Sequence, residues 1–319
     1  MRLIIQIPCY NEEETIGQTL EDLPKKIKGV DRLEILIIDD GSTDKTIRIA
    51  EEHGVNHIVK FTNNKGLARA FMAGIDASLK LGANIIVNTD ADNQYQGEDI
   101  AKLIDPILKG KADMVVGERD IAGIEHFSPL KKKLQKAGSW VVRQVSNTEI
   151  PDATSGFRAY AREAALQLNV ISSYSYTLET IIQAGKKNIA LDHAAIGTNS
   201  KLRESRLSTG IFNYVKWSAA TILRIYTMYE PLKLFLGLGA VFCGAGLSLG
   251  LYFLYYRFYE NAPGHGQSLI LSVSLLIVGF AIMIFGLLAD LISANRRLIE
   301  DTLYRVKKIE MHFGDEKDS

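Results

Sequence analysis

The stretch Asn88-Thr89-Asp90-Ala91-Asp92-Asn93-Gln94 follows the short β-branched run Ile85-Ile86-Val87. The run predicts a buried strand, so two carboxylates and a carboxamide come together at the point where that strand ends. Oxygen ligands of this kind suit a hard divalent cation such as Mg²⁺ or Mn²⁺ rather than zinc. A lone Asp-x-Asp is more often a loop with a helix cap, and the surrounding sequence decides between the two interpretations.

Predicted strands and helices alternate from the start of the chain. The strands lie at residues 2–7, 35–38, 57–61, 85–87 and 114–116, and the helices at 11–24, 43–53, 67–81 and 98–109. This order predicts an α/β fold with a doubly wound, mostly parallel sheet, which binds ligands at the carboxyl ends of its strands. The chain has neither the dinucleotide fingerprint G-x-G-x-x-G nor the P-loop pattern. We therefore expect a nucleotide site to be acidic and metal-dependent.

The overall composition says little about partners. The 37 basic residues balance the 37 acidic residues, so net charge gives no argument for a nucleic-acid partner, and we expect none. Cys9 follows the first strand and Cys243 lies in an apolar run, so a disulfide is not expected and a reducing compartment is the default. The apolar start of the chain is too short for a signal peptide. We therefore expect the N-terminal part to stay in the cytoplasm.

Two long uncharged runs follow in the last third of the chain, at residues 234–256 and 268–289. About 20 apolar residues cross a bilayer as a helix, and these runs are apolar on all faces. Basic residues concentrate before the first run and after the second, whereas the loop between the runs carries one arginine. Positive charge marks the cytoplasmic side, so the sequence predicts an integral protein of the cell membrane with both termini and the catalytic domain in the cytoplasm.

Two further segments are amphipathic. Residues 128–146 combine apolar residues at helical spacing with a cluster of lysines, and Trp140 lies nearby. Residues 211–230 place aromatic side chains just before the first apolar run. Both patterns are typical of helices that lie on an anionic bilayer surface, although a solvated basic face is an alternative for the first.

Several motifs occur in one order, and the first five each follow a predicted strand. They are Pro8-Cys9-Tyr10-Asn11-Glu12, Asp39-Asp40-Gly41-Ser42, Asn64-Lys65-Gly66, Asp90-Ala91-Asp92-Asn93-Gln94, Gly117-Glu118-Arg119 and Asp152-Ala153-Thr154-Ser155-Gly156-Phe157-Arg158. This set resembles glycosyltransferase family 2, which has the GT-A fold. More narrowly, it resembles the polyprenyl-phosphate glycosyltransferases, the group that contains dolichol-phosphate mannose synthase and the bacterial undecaprenyl-phosphate enzymes. The motifs extend over residues 1 to about 210, and the two apolar runs resemble the membrane anchor of the bacterial members.

The resemblance implies a role for each matching residue on the donor side. Asp90, Asp92 and Gln94 would hold Mg²⁺ or Mn²⁺ against the donor diphosphate. Asp39 or Asp40 would accept hydrogen bonds from the base or the ribose. The remaining donor and substrate contacts would come from Pro8, Tyr10, Glu12 and Lys65.

The resemblance also implies an acceptor site. Arg119 and Arg203 would bind a phosphate, of the lipid or of the donor, and Lys131 or Lys133 would reach the lipid phosphate from the basic helix. Asp152 would orient or deprotonate the acceptor, or it would be an ordinary turn or cap aspartate. Arginine suits phosphate because its planar fork binds two oxygens.

The combined prediction is a membrane-anchored inverting glycosyltransferase that acts on a nucleotide sugar, with UDP or GDP, and a polyprenyl phosphate, with a dolichyl or undecaprenyl chain. Residues 1–210 would form the GT-A catalytic domain, 211–230 a juxtamembrane helix, 231–292 two transmembrane helices and 293–319 a cytoplasmic tail. Alternatives are transfer to a glycan or protein acceptor, and a catalytically silent partner that binds nucleotide sugar. A processive polysaccharide synthase is disfavoured because the chain lacks a Gln-x-x-Arg-Trp motif. Small residues in the first apolar run leave a homo-oligomer open.

Overall fold

Residues 1–120, 129–171, 176–199, 211–259 and 266–315 are described by a computed structural model of the chain. The strands are β1 (Arg2–Cys9), β2 (Arg32–Asp39), β3 (His57–Lys60), β4 (Ile85–Asn88), β5 (Met114–Arg119), β6 (Arg158–Ala161) and β7 (Leu191–Ile196). The helices of the same part of the chain are α1 (Ile16–Asp22), α2 (Thr46–Glu52), α3 (Leu67–Lys80), α4 (Ile100–Leu108), α5 (Pro129–Ser146), α6 (Arg162–Gln167) and α7 (Thr177–Lys186). Three longer helices follow, α8 (Ile211–Tyr229), α9 (Pro231–Phe258) and α10 (Gly266–Asp315).

The strands form one seven-stranded sheet in the order β3-β2-β1-β4-β6-β5-β7. The pairs β1–β2, β2–β3, β1–β4 and β5–β7 are parallel, whereas β6 is antiparallel to both β4 and β5. The predicted mostly parallel α/β sheet is therefore confirmed. The inserted strand β6 was not predicted, because its four residues, Arg-Ala-Tyr-Ala, carry little β-branched signal.

Alternate residues of the central strand face different helices, as the pleat of a strand requires. Leu3, Ile5 and Ile7 of β1 belong to a buried cluster that also contains Ile16 of α1 and Leu103 of α4. On the opposite face, Gln6 of β1 donates to the Phe71 carbonyl of α3. Helices thus cover both faces of the sheet. The polar residues that follow the strands lie at the sheet edge, outside the hydrophobic core.

The antiparallel strand β6 brings a distant segment to that edge. Asn88, the last residue of β4, is paired with Arg158, the first residue of β6. Because the two strands run in opposite directions, the residues just before β6 lie beside the residues just after β4. The segment 152–157 therefore meets Asp90, although about sixty residues separate them in the chain.

The first helix begins later than predicted. Asn11 was expected to begin it, but α1 begins at Ile16 and Asn11 has a positive φ of 52°. A residue in this left-handed region cannot start a right-handed helix. The Asn11 side chain instead accepts a hydrogen bond from the Thr43 N–H at 2.8 Å, so it stabilises the turn after β2.

The apolar helices form a tightly packed pair. α9 and α10 are both long and apolar enough to cross a bilayer, as the two predicted runs require. A Cβ built on Gly279 would lie 2.6 Å from Cys243 Sγ, and a Cβ on Gly239 would lie 2.8 Å from the Gly279 carbonyl oxygen. Ser272 Oγ donates to the Gly246 carbonyl at 2.6 Å. Small residues therefore let the two backbones approach closely.

Two compact units divide the chain. Residues 223–302 form one, and residues 1–222 together with 303–319 form the other. Within the larger unit, the end of α10 contacts the helices that flank the sheet: Lys307 pairs with Asp76 of α3 at 2.9 Å, and Lys308 pairs with Glu163 of α6 at 3.1 Å. Tyr304 donates to the same Glu163 at 2.7 Å. The last turns of α10 are thus held against α3 and α6 by two ion pairs and a hydrogen bond.

Candidate functional site

The acidic loop after β4 brings two carboxylates close together. β4 is fully buried, and the chain continues from it into the loop that contains Asp90 and Asp92, which are both half-buried. Asp92 accepts a hydrogen bond from the Gln94 N–H at 3.2 Å, and Asn93 takes a positive φ of 52° to close the turn. The Gln94 carbonyl accepts from the Asn199 N–H at 2.9 Å. One hydrogen bond within the loop and one from Asn199 therefore stabilise its conformation.

The electrostatics of this loop favour a cation. Burial raises the pKa of Asp90 well above its ordinary value and the charge of Asp92 raises it further, whereas Arg119 and a hydrogen bond from Tyr95 oppose this rise. Two carboxylates in one partly buried loop are the hard oxygen donors that Mg²⁺ and Mn²⁺ prefer. Within the described ranges no three His, Cys, Asp or Glu residues cluster as a metal site. A cation here can take Asp90, Asp92 and Gln94, with phosphate oxygens or water completing its shell.

Arg119 and Asp152 form a buried ion pair beside the acidic loop. Arg119 Nε lies 2.7 Å from Asp152 Oδ2, and Nη2 lies 3.1 Å from Oδ1 and 2.8 Å from Thr154 Oγ1. The exposed fractions are only 7% for Arg119 and 1% for Asp152. Burial disfavours the charged carboxylate, but the Arg119 guanidinium and the Thr154 hydrogen bonds lower the pKa of Asp152 below its ordinary value. Asp152 is therefore an ionised partner of Arg119.

Gly156 lies directly against the Asp90 carboxylate. A Cβ built on Gly156 would lie 2.9 and 3.0 Å from the two carboxylate oxygens of Asp90, closer than real Cβ atoms approach such groups. Its N–H donates to Tyr95 Oη at 3.0 Å, and its carbonyl accepts from Asn88 Nδ2 at 2.9 Å and Tyr176 Oη at 3.2 Å. The predicted motif around Gly156 thus lies against the acidic loop, and its residues 152–157 form the wall segment of the site.

A buried arginine fixes this wall. The Arg158 guanidinium is fully buried and donates to the carbonyls of Ala153, Ser155 and Thr177 at 2.8 to 2.9 Å. It also donates to Thr180 Oγ1 at 2.6 Å. Since these acceptors lie on both sides of Gly156, Arg158 holds the segment before β6 in one conformation.

The ends of β1 and β2 form the adjacent part of the edge. Pro8 is buried in β1, paired with Ile38, whereas Tyr10 is 39% exposed. Glu12 is buried and accepts from Thr15 Oγ1 at 3.0 Å, and its own N–H donates to Thr46 Oγ1 at 2.7 Å. Part of the Tyr10 side chain is thus exposed at this edge, and Glu12 stabilises the turn that follows it.

The two neighbouring aspartates after β2 differ in their contacts. Asp40 accepts from the Lys65 N–H at 2.6 Å and from the Gly66 N–H at 2.9 Å, so both of its oxygens hold the start of α3. Asp39 accepts from the Ser42 N–H at 2.8 Å through Oδ1. Its Oδ2 is buried and has no hydrogen-bond partner within the part of the chain that the structure describes. Asp39 therefore has an acceptor available for a ligand, and Asp40 is a structural clamp.

Lys65 lies at the same edge. Its Nζ is 4.5 Å from the centroid of the Phe61 ring, a cation–π contact that keeps the Lys65 ammonium group beside the loop after β3. The backbone N–H of Lys65 is committed to Asp40, whereas its side chain is directed by Phe61.

The predicted acceptor residues are only partly described. Lys131 and Lys133 belong to α5, which confirms the predicted basic helix, but their side chains lie outside the described residues. Arg203 also lies outside them. At the C-terminal half of α5, Trp140 is 56% exposed while Val142 is buried, and Ser139 Oγ accepts from the Ala153 N–H at 3.3 Å. The helix therefore has an exposed aromatic face and contacts the segment that carries Asp152.

Tyr95 and Asn199 were not predicted as parts of the site, and no partner was predicted for the Asn88 side chain. One signal was present: Asn88 ends a run of buried β-branched residues, and a buried carboxamide requires hydrogen-bond partners. The partners themselves come from distant segments, so the sequence pattern alone did not specify them.

Comparison with known proteins agrees with this architecture. The profile described as Glycosyl transferase family 2 matches residues 4–168. An undecaprenyl-phosphate mannosyltransferase of Micrococcus luteus is 30% identical, and the match covers 75% of this chain and 100% of that protein. A UDP-N-acetylglucosamine–dolichyl-phosphate N-acetylglucosaminyltransferase of Methanococcus voltae is 32% identical over 60% of this chain and 83% of that protein.

A solved structure with a similar fold is glucosyl-3-phosphoglycerate synthase from Mycobacterium tuberculosis, in complex with Mn²⁺, UDP-glucose and phosphoglyceric acid. It aligns with a TM-score of 0.56 at 20% identity, and the alignment covers 70% of this chain and 79% of that one. At this identity the likeness concerns the fold alone.

Proposed function

The chain belongs to glycosyltransferase family 2, and from that premise we propose that it transfers a sugar from a nucleotide-sugar donor to a polyprenyl phosphate. Transfer takes place at the cytoplasmic face of the membrane and inverts the anomeric centre. The observation that carries the proposal is that Asp90 and Asp92, which follow β4, and Arg119, which ends β5, lie at the same edge of the sheet. The chain also has two helices apolar enough to cross a bilayer. The names of the relatives from M. luteus and M. voltae support the acceptor class.

The donor is bound between the ends of β1, β2 and β4. Asp39 has a buried acceptor oxygen for the base or ribose, and the exposed ring of Tyr10 lies after the neighbouring strand. Asp90, Asp92 and Gln94 hold the cation, Mg²⁺ or Mn²⁺, and the cation supplies positive charge to the departing nucleoside diphosphate. The Mn²⁺ and UDP-glucose in the complex of the M. tuberculosis structural neighbour support the use of a divalent cation and a nucleotide sugar.

Arg119 stabilises the charge that develops on the phosphate groups. Asp152 occupies Nε and Nη2 of this guanidinium, so it fixes the direction in which Nη1 points. We assign Asp152 to positioning Arg119 rather than to taking a proton from the acceptor. A phosphate monoester is already ionised at neutral pH, with a second pKa of about 6, so the acceptor oxygen can attack the anomeric carbon without a general base. The new bond joins that oxygen to the carbon as the bond to the diphosphate breaks.

The acceptor approaches from the membrane surface. Trp140 on α5 is exposed, and the same helix carries Lys131 and Lys133. An interfacial helix of this composition binds an anionic bilayer surface. Lys131, Lys133 and Arg203 are proposed to contact the lipid phosphate, while α9 and α10 anchor the chain in the bilayer.

The test uses the purified full-length protein in detergent with Mn²⁺ or Mg²⁺. Labelled UDP- and GDP-sugars are supplied as donors, and dolichyl or undecaprenyl phosphate as acceptors. Label entering the organic phase from one donor, and lost on addition of EDTA, supports the proposal and names the sugar. Asp92→Asn is expected to lose at least 10-fold in rate, because one oxygen ligand becomes a neutral amide.

Glu98→Gln is the matched control, since Glu98 is an exposed carboxylate in the same segment. We expect its rate to be unchanged. Binding of nucleotide and metal without any lipid product would overturn the lipid acceptor and favour a glycan or protein acceptor. The absence of any nucleotide binding would overturn the proposed enzyme activity.

A further inference from the structure

Tyr95 is a buried residue of the acidic loop whose hydroxyl lies between two parts of the site. The side chain is 5% exposed, and its ring stacks on Phe157 with centroids 5.0 Å apart and planes 10° apart. Its hydroxyl accepts the Gly156 N–H at 3.0 Å, and its proximity to Asp90 lowers the pKa of that carboxyl against the effect of burial. One oxygen atom thus joins the wall segment before β6 to the acidic loop after β4.

Gly156 is held equally firmly at its other polar group. Its carbonyl accepts from Asn88 Nδ2 at 2.9 Å and from Tyr176 Oη at 3.2 Å, and Asn88 Nδ2 lies 2.8 Å from the same Tyr176 hydroxyl. The Tyr176 ring stacks on Phe71 with a centroid distance of 3.9 Å. Both the donor and the acceptor of Gly156 therefore have buried partners, so this residue has a fixed position.

Asp90 lies directly against this fixed residue. The two oxygens of its carboxylate would be 2.9 and 3.0 Å from a Cβ on Gly156. The carboxylate therefore rests against the glycine whose N–H is bound by the Tyr95 hydroxyl. Groups that fix the orientation of a metal-ligating carboxylate from outside the ligand shell tune the affinity of the site for its metal.

We propose that Tyr95 is a positioning residue for the metal-binding carboxylate of Asp90, acting together with the fixed Gly156. The inference rests on the proposed function, because it takes Asp90 as a ligand of the cation. It adds that the direction of this ligand is set by a tyrosine hydroxyl five residues further along the chain. Loss of such a partner lowers metal affinity about 10- to 100-fold in known metal sites.

The experiment measures Mn²⁺ binding by electron paramagnetic resonance on the full-length protein in detergent, with UDP in one arm and GDP in the other. The variants are Tyr95→Phe, Asp90→Asn and Tyr160→Phe. Phenylalanine at position 95 keeps the ring stack on Phe157 and removes only the hydroxyl. Tyr160 is the matched control, because it is also a buried tyrosine but its hydroxyl has no hydrogen-bond partner within the described residues.

We expect Tyr95→Phe to bind Mn²⁺ about 10- to 100-fold more weakly than the native chain, and Tyr160→Phe to bind it normally. The transfer rate of Tyr95→Phe should recover at high Mn²⁺, whereas that of Asp90→Asn should not. Thermal unfolding of each variant checks that the fold is retained. Gly156→Ala, whose methyl group would lie 2.9 Å from both Asp90 Oδ2 and Tyr176 Oη, should also weaken Mn²⁺ binding.

Two results would overturn the inference and leave the proposed function intact. One is unchanged Mn²⁺ affinity in Tyr95→Phe, and the other is an equal loss in Tyr95→Phe and Tyr160→Phe, which would indicate a general packing defect. If the native chain binds no Mn²⁺ with either nucleotide, the metal site of the proposed function fails and the inference fails with it.

Discussion

Arg119 Nε and Asp152 Oδ2 lie 2.7 Å apart in a buried ion pair at the edge of the sheet. The pair joins the end of β5 to the segment before β6. Removing one partner of a buried pair leaves an uncompensated charge, which is more costly than removing both partners. The pair therefore determines both the stability of the domain and the direction of the Arg119 guanidinium.

Asp152→Ala should destabilise the protein strongly. We expect a loss of about 3–5 kcal/mol in the free energy of unfolding, because the buried Arg119 loses its counter-charge. Denaturant unfolding in detergent, followed by tryptophan fluorescence, measures this loss. The control is Glu52→Ala, which breaks the exposed Arg48–Glu52 pair and should change nothing measurable.

The double variant Arg119→Met/Asp152→Leu separates stability from activity. Since both charges are removed, it should recover most of the stability that Asp152→Ala loses, yet remain inactive because no guanidinium faces the donor phosphates. Full activity in this double variant would contradict the role of Arg119.

The Arg119–Asp152 pair should make the free energy of unfolding depend on pH. The pKa of Asp152 is lowered in the folded protein, so this group contributes stability above its unfolded pKa and loses it as pH falls through the folded pKa. The stability difference between the native chain and Asp152→Asn should therefore be constant from about pH 7 to pH 5 and shrink below about pH 4. Unfolding of both proteins across this pH range tests the prediction. A difference that grows on acidification would contradict it.

Asp39 and Asp40 should respond differently to the same substitution. Asp39→Asn keeps an oxygen for the Ser42 N–H but places a donor where the free Oδ2 lies, so nucleotide affinity should fall about 10- to 100-fold with little loss of stability. Asp40→Asn removes one acceptor from the Lys65 and Gly66 N–H groups, so its main effect should be on unfolding. Calorimetric titration with UDP and GDP, with a thermal melt of each variant, distinguishes the two outcomes. Equal effects on affinity would contradict the division of roles.

The site residues that directly follow parallel strands could be placed from the sequence. Asp39, Asp40, Asp90 and Asp92 each follow a run of buried apolar residues, and parallel strands end at a common edge, so their proximity followed from periodicity alone. Their individual partners did not follow, because Asp40 is occupied by backbone donors from a loop 25 residues away.

The other side of the site depends on β6, whose four residues give almost no pattern. Without that antiparallel strand there was no reason to place Gly156 against Asp90, or Asp152 against Arg119. Asp152 was consequently predicted as an acceptor contact or a turn residue. It does accept the Thr154 N–H at 3.2 Å in a turn, but its ion pair with Arg119 was not predicted. Long-range pairing of polar side chains is determined by topology, and short periodic segments do not encode it.

The packing of α9 against α10 yields the last prediction. Gly279→Ala should weaken this helix pair, because the new methyl group would lie 2.6 Å from Cys243 Sγ and 2.9 Å from the backbone nitrogen of the same residue. A backbone contact at that distance can be relieved only by moving the helices apart, which loses contacts along the whole interface.

Gly244→Ala is the matched control, since a Cβ at Gly244 meets nothing within 4 Å. Thermal unfolding in detergent should show a lower midpoint for Gly279→Ala and an unchanged or slightly higher one for Gly244→Ala, because alanine favours helix over glycine by up to about 1 kcal/mol. If Gly244→Ala instead altered the oligomeric state measured by light scattering, the open face of α9 would be a contact between copies of the chain. An equal midpoint for both variants would contradict the close approach of the two helices at Gly279.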